Sequence, residues 1–288
     1  MKKTGARTVA PVIISVALIA GLALAQVGFA ESEPPAGIAS RHPGDIGIEQ
    51  DEAVIFVENF ESGSLDNWDG GHKRDRVTLT SDQANVYQGR FAMEWAVPLN
   101  DSGGHIYKWL KPGYDKVHAR VYWRLAEDWT VTKMHGWGIS AAKPGVSVPG
   151  DAGRRADGTN KFCAIIDRPH QGMALYVYHP EQKSQWGDHF GTDVSMQPGR
   201  WYCVEIMQKA NTPGKRDGDM ALWVDGKRVG QWTNLRLRDV AELRINKLVL
   251  MLYLHKNDTG LNRCFYDNLV VATEYIGPMA PGTPVETK

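Results

Sequence analysis

Apolar and polar residues alternate along this chain with a period of two far more often than they recur at helical spacing. "KVHARVYWRLA" puts Val117, Ala119, Val121, Trp123 and Leu125 on one side and His118, Arg120, Tyr122 and Arg124 on the other. "NKLVLMLYLHKN" separates Leu248, Leu250, Leu252 and Leu254 from Val249, Met251, Tyr253 and His255. "ALYVYH" separates Leu175 and Val177 from Tyr176 and Tyr178, with His179 following. "DMALWVDGKRV" reads as a strand, an Asp-Gly turn and a returning strand, a strong hairpin signal. "RFAMEWAVPL" and "GRWYCVEIMQKA" add two more strands. Bounded by Gly, Pro and Asn clusters, these segments predict an all-β chain, a two-sheet antiparallel β-sandwich of jelly-roll type.

The polar side of three of these strands is the first functional signal. Outer faces of ordinary sandwiches carry scattered Lys, Glu, Thr and Ser. Here His118, Arg120, Tyr122, Arg124, Tyr176, Tyr178, Tyr253 and His255 take those positions. Tyrosine and arginine give planar contacts and fixed donors at low entropic cost, which suits a binding surface. Aromatic faces meet the C–H groups of sugar rings, while arginine and histidine meet carboxylates and hydroxyls. Good strand formers also include aromatic residues, which accounts for any one strand taken singly. Together the three strands predict one trough for a sugar chain. The exit loop "HPEQKSQWGDHFG" offers His179 and Trp186 beside it, the latter as a stacking platform.

At the amino end, Lys2, Lys3 and Arg7 precede an apolar run and the small residues Gly28 and Ala30. That order predicts an export signal over residues 1–30, cut near Ala30, and a secreted or periplasmic protein; an uncleaved single-span anchor is the alternative. Residues 31–51, rich in Pro, Gly and Ser, read as a flexible leader. The single domain is expected over 52–278, with a tail over 279–288. Charge is balanced, 33 basic against 33 acidic residues, so no nucleic-acid partner and no membrane surface is expected once the signal is removed. Any anionic substrate must be held by local charge, and the protein is expected to be a monomer. The three cysteines, Cys163, Cys203 and Cys264, match no zinc spacing. They read either as one disulfide with a leftover thiol or as buried small hydrophobes.

Several segments together resemble the polysaccharide lyases of family fourteen and, more distantly, the glucuronan lyases of family twenty. They are "GRWYCVEIMQKANTPGKRDGDMALWVDGKRV", "ALYVYHPEQKSQWGDHFG", "KMHGWG", "NLRLRDVAELRINKLVLMLYL" and "FYDNLVVATEYIGP", spanning Phe56 to Pro278. The resemblance implies a concanavalin-like jelly roll and β-elimination on a uronic-acid polysaccharide, and it matches Lys133, Tyr176 and Tyr178 to the family's functional residues. With His135 on the same loop as Lys133, the expected base is Lys133 or His135 and the expected acid Tyr176 or Tyr178. In that chemistry the uronate carboxylate is neutralised, a base removes the C5 proton, and an acid protonates the departing oxygen. The family's "S-x-R" strand is altered here to "KFCAIIDRP", with Cys163 near the serine and an aliphatic residue near the arginine. Arg120, Arg124, His135 or His255 are the expected replacements for that carboxylate clamp.

A second constellation is metal-like. "VENFESGSLDNW" and "CFYDNLVV" form the first and last strands, and Glu61 with Asp267 are expected to hold a structural Ca²⁺ where they meet. No organic cofactor is expected. No G-x-S-x-G elbow, His-Glu-x-x-His motif or carboxylate run of the jelly-roll glycosidases is present. The expected function is therefore an exported polysaccharide lyase, with a non-catalytic carbohydrate-binding protein on the same scaffold as the alternative and a glycoside hydrolase behind both.

Overall fold

A computed structural model describes residues 36–147 and 152–282. The expected export signal, the first residues of the leader and the end of the tail lie outside the described residues. Among the described residues, fifteen strands form two antiparallel sheets. They are β1 (Val54–Glu58), β2 (Gly70–His72), β3 (Val77–Thr80), β4 (Ala92–Val97), β5 (Gly103–Tyr114), β6 (Lys116–Leu125), β7 (Met134–Ala142) and β8 (Lys161–Asp167). After them come β9 (Ala174–Tyr178), β10 (Asp188–Gly191), β11 (Trp201–Lys209), β12 (Gly218–Val224), β13 (Lys227–Leu235), β14 (Ile245–Leu254) and β15 (Asn262–Ala272). The first sheet runs β13-β12-β11-β6-β15-β4-β3, with β1 also on β15. The second runs β10-β9-β8-β7-β14-β5-β2.

The aliphatic side of each alternating strand faces the layer between the sheets. Val117, Ala119, Val121, Trp123 and Leu125 of β6 meet Leu248, Leu250, Leu252 and Leu254 of β14 in one core cluster, joined by Leu175 and Val177. One polar link crosses this layer: the buried Tyr266 phenol donates a 2.8 Å hydrogen bond to the Met251 carbonyl of the second sheet. The Asp-Gly hairpin closes in two residues between Val224 and Lys227. Asp225 and Gly226 both have positive φ, 51° and 80°, the backbone twist that such a tight turn needs.

The leader departs from expectation. Residues 38–50 make three short 3-10 turns, and Ile38, Ala39 and Ile48 are fully buried against Val270, Ala272 and Ile276. Pro, Gly and Ser serve tight turns as well as loose linkers, and the leader's isoleucines supply the apolar contacts that hold those turns down. The start of the tail is also tied in, since the Ala280 carbonyl accepts from Gly44 N–H at 2.8 Å. All three cysteines are free and buried. Burial pushes the Cys163 thiol up to about 11 and those of Cys203 and Cys264 up to about 12, so none is a ready thiolate.

Candidate active site

A sandwich has two outer faces, and the residues expected in one trough divide between them. His118, Arg120, Tyr122 and Arg124 lie on the outer side of β6 in the first sheet, where they are buried beneath residues 43–45 and 275–279 and neighbouring loops. Arg120 pairs with Asp45 of the leader at 2.5 Å, and His118 Nδ1 lies 2.8 Å from Glu205 Oε1. The Tyr122 hydroxyl accepts from Met279 N–H at 2.9 Å. Arg124 donates to the Gly199 carbonyl at 2.9 Å and to Asn85. These four residues therefore do not line a substrate trough. Period-two alternation identifies the side of a strand but not which sheet the strand joins or what covers it. His179, expected beside the trough, is instead buried, with Nε2 3.1 Å from Asp188 Oδ2, and pins the β9–β10 loop rather than lining a groove.

The second sheet brings the other expected residues together. Asp167 (β8), His135 (β7) and Tyr253 (β14) are direct cross-strand partners, so their side chains stand in one row. Tyr176 (β9) opposes His189 (β10), and at the far edge His105 (β5) opposes His72 (β2). The His135 ring lies between two phenols, stacked on Tyr176 at 4.8 Å and on Tyr253 at 5.7 Å. Its Nε2 is 3.0 Å from His255 Nε2, and its Nδ1 is 3.2 Å from Asp167 Oδ1, off the hydrogen-bonding direction. His189 Nε2 approaches Asp167 Oδ2 at 2.8 Å, and Arg168 Nε reaches the same oxygen at 3.0 Å. Lys133, exposed just before β7, accepts the His255 N–H on its carbonyl at 3.1 Å.

A bulge aims His135. The register of β7 against β8 shifts between His135 and Gly138, and against β14 it shifts opposite Val249–Tyr253. Bulges of this kind re-aim side chains beside functional sites. Gly136 sits inside the bulge, where a Cβ would come within 2.5 Å of the Trp123 ring. Only glycine lets the strand lie that close to the core.

The electrostatics separate the groups by role. Burial works to raise the Asp167 carboxyl, but its contacts with His135, His189 and Arg168 outweigh burial and hold it below the ordinary value. Desolvation, then the neighbouring His135, pushes His255 below the ordinary imidazole value; Lys133 and His189 add to this, and Asp167 opposes it. Burial, then Tyr178, pushes the Tyr176 phenol well up, so it stays protonated at any working pH. Burial also brings His105 down to about 4 and Lys247 down to about 8.

Tyr178 stands behind this row. It is buried, its hydroxyl 3.3 Å from that of Tyr176 and accepting from Gly153 N–H at 3.3 Å. Ala156 joins it in an apolar cluster with Cys163, Ile165, Val249 and Met251, so the segment after β7 roofs that half of the face. Trp186 is exposed beside Gly153 on the same side. Asp167 and His189 were not singled out in the sequence. The alternation of "KFCAIID" does put Asp167 on the side of Cys163 and Ile165, but an apolar run masks it; His189 lies on a four-residue strand too short to show a period.

Glu61 and Asp267 meet around the loop after Val86. Asp267 is fully buried and accepts from the N–H groups of Tyr87, Gln88 and Asn268, while Glu61 accepts from those of Arg90 and Phe91. Desolvation raises the Asp267 carboxyl to about 7, and the Glu61 charge adds to it. The Asn268 side-chain oxygen is buried there without a hydrogen bond. An all-oxygen donor set with excess negative charge and an orphaned carbonyl fits Ca²⁺.

No family model and no curated protein matches the chain in sequence. Solved structures do match. The family-fourteen alginate lyase from Aplysia kurodai superposes with a TM-score of 0.63 at 13% identity, covering 76% of this chain and 99% of that one. The endo-β-1,4-glucuronan lyase from the fungus Trichoderma reesei gives 0.54 at 19% identity, covering 76% and 95%. A variant of alginate lyase Aly36B in complex with alginate trisaccharide gives 0.58 at 16% identity, covering 77% and 98%. At such identities the likeness is one of fold, and the chain carries the β-jelly-roll sandwich found in these alginate and glucuronan lyases.

Proposed function

We propose that this protein is an exported polysaccharide lyase that cleaves a uronic-acid polymer by β-elimination on the outer face of its second sheet. The observation that carries the reading is the open row of Tyr176, His135, Tyr253 and His255 backed by Asp167, on a fold it shares with lyases of uronate polymers. In this mechanism the His135–His255 pair takes the C5 proton, with Asp167 balancing the charge that develops on the imidazoles. Electrons of the C5–H bond form the C4–C5 double bond as the C4–O bond breaks. The Tyr176 phenol then gives its proton to the departing oxygen. A phenol held high in pKa is suited to donating only to the strongly basic oxygen that bond breaking creates. Lys133, exposed beside His255, supplies cationic charge for the uronate carboxylate.

A binding module is the second reading, favoured by one observation. Where the resembling family has its arginine on β8, buried Ile165 stands in the apolar cluster. The two are separated by incubating the protein with alginate, glucuronan, pectate and glycosaminoglycans and following the ultraviolet absorbance of an unsaturated uronate. Appearance of the signal, its loss in Tyr176→Phe and retained polymer binding by that variant support the lyase; binding with no signal on any polymer refutes it. Export rests on the cationic and apolar start of the chain, and recovery of the full-length product from the cytoplasm alone would refute it. Ca²⁺ is proposed for Glu61 and Asp267, where it would fasten the first and last strands.

A further inference from the structure

The three imidazoles around Asp167 are arranged more tightly than proton transfer alone requires. His135, Asp167 and His255 each offer a donor atom, and these atoms lie within 4.8 Å of one another. His135 can give one ring nitrogen to an ion, and its Nδ1, 3.2 Å from Asp167 Oδ1, is close to the roughly 3.4 Å between donors that bonds of about 2.0–2.1 Å give around a tetrahedral ion. Two imidazole nitrogens meeting head to head satisfy each other only when one carries a proton and the other does not. Meanwhile His135 Nδ1 is buried and makes no hydrogen bond. His189 Nε2 and Arg168 Nε both hold the other Asp167 oxygen, as outer partners do when they orient a metal-binding carboxylate. The mouth of the cluster is open, since His255 is exposed and the His189 side chain is 41% exposed.

We propose that His135, His255 and Asp167 bind a divalent transition-metal ion of the zinc class at the centre of the groove. Two imidazoles and one carboxylate leave a coordination position facing solvent, and neither soft thiolates nor an all-oxygen shell is present to select copper(I) or calcium there. The position facing solvent suits a carboxylate ligand. On the lyase reading, which this role rests on, that ligand is the uronate carboxylate, whose charge the ion would neutralise. Imidazoles that hold the ion cannot also take the C5 proton, so in the metal-loaded form the base is Lys133, and the His135–His255 pair acts as base only in the metal-free form.

The test keeps the two ideas apart. Full-length protein is stripped with a chelator, returned to excess Ca²⁺ to fill oxygen sites, then titrated with Zn²⁺ and, separately, with Co²⁺. One Zn²⁺ per chain, with Co²⁺ giving the intense visible bands of a low-coordinate nitrogen–oxygen site, is expected. His255→Ala and Asp167→Asn are each expected to weaken Zn²⁺ binding at least about tenfold. His255 is exposed, so its variant keeps the fold even where Asp167→Asn does not. Failure to retain Zn²⁺, or equal retention by His255→Ala and the parent protein, overturns the site. Metal content is read without any polymer, so absence of unsaturated product would refute the lyase reading and leave the metal site standing.

Discussion

Replacing Asp45 by Ala tests the reassignment of Arg120 directly. Arg120 is fully buried on the outer side of β6, and its Nε and Nη1 atoms make no hydrogen bond. The Asp45 carboxylate, itself nearly buried, is the acidic group it meets, with the Tyr122 ring 5.3 Å away. Removing the carboxylate leaves a guanidinium without its counter-charge and out of water. Breaking a buried pair from one side costs about 3–5 kcal/mol. For a domain of this size each kcal/mol corresponds to roughly 2–4 °C in melting temperature, which gives a loss of roughly 6–20 °C. Exposed ion pairs, by contrast, are worth about 0–1 kcal/mol.

The assay is urea unfolding at fixed Ca²⁺, followed by tryptophan fluorescence, with polymer cleavage measured on the folded fraction. Asp45→Ala is expected to lower the urea midpoint sharply without changing KM. Adding Arg120→Met to it is expected to recover most of the loss, because an apolar side chain of similar length needs no counter-charge. An Asp45→Ala unfolding free energy within about 0.5 kcal/mol of the parent would refute the buried-pair account. A rise in KM for uronate polymers in the stable double variant would return Arg120 to the substrate.

Gly136→Ala pushes a methyl group into the Trp123 ring; a loss of about 1–3 kcal/mol by urea unfolding is expected, with a fall in kcat because the bulge aims His135. For His255 in metal-free protein, a pKa below the ordinary 6.5 means the imidazole remains a base until pH falls past that lowered value, so the acid limb of kcat/KM is expected below pH 6.5. Lys133→Ala removes one charge that lowers His255 and should move that limb upward; a limb at or above 6.5 in the parent protein contradicts the assignment. Ca²⁺ at a hundred times its Kd should add about 2.7 kcal/mol to stability, and Glu61→Gln should abolish most of that gain in a thermal-shift titration.

Much of the fold was legible from alternation alone. The strands read from "KVHARVYWRLA", "ALYVYH" and "NKLVLMLYLHKN" are β6, β9 and β14, and their aliphatic sides are the core. The site was legible only in part, and for a physical reason. Alternation is a local property of one strand, whereas sheet membership depends on hydrogen bonds to strands far away in sequence. Tyr176, His135 and Tyr253 share a face because β9, β7 and β14 belong to one sheet; β6 pairs with β11 and β15 in the other. The leader misled in the same way, since its turn-forming composition hid three residues that the first sheet's outer surface buries completely. Asp167 escaped because a single carboxylate at the end of an apolar strand resembles a strand terminus until its neighbours are known.

The two outer faces show how a polar cluster that holds a fold differs from one equipped for chemistry. On the first sheet the partners are unlike and complementary: guanidinium with carboxylate at Arg120–Asp45, and imidazole with carboxylate at His118–Glu205. Glu205 is completed by the N–H groups of Ile276 and Gly277, so the segment after β15 takes up its acceptor capacity. The charged groups of this surface are buried against one another, so the atoms left over, such as Arg120 Nε and Nη1, are out of a ligand's reach. On the second sheet imidazole faces imidazole, phenol faces phenol, and one carboxylate is shared by two histidines. Groups of the same kind satisfy each other only by fixing where protons sit, and a small change in charge nearby redistributes those protons. Five of the chain's nine histidines stand on this face: His72, His105, His135, His189 and His255. The segments 38–50 and 275–280 thus cover the first sheet's outer face, and the unmatched chemistry of the second sheet's face is what recommends it as the proposed site for a uronate polymer.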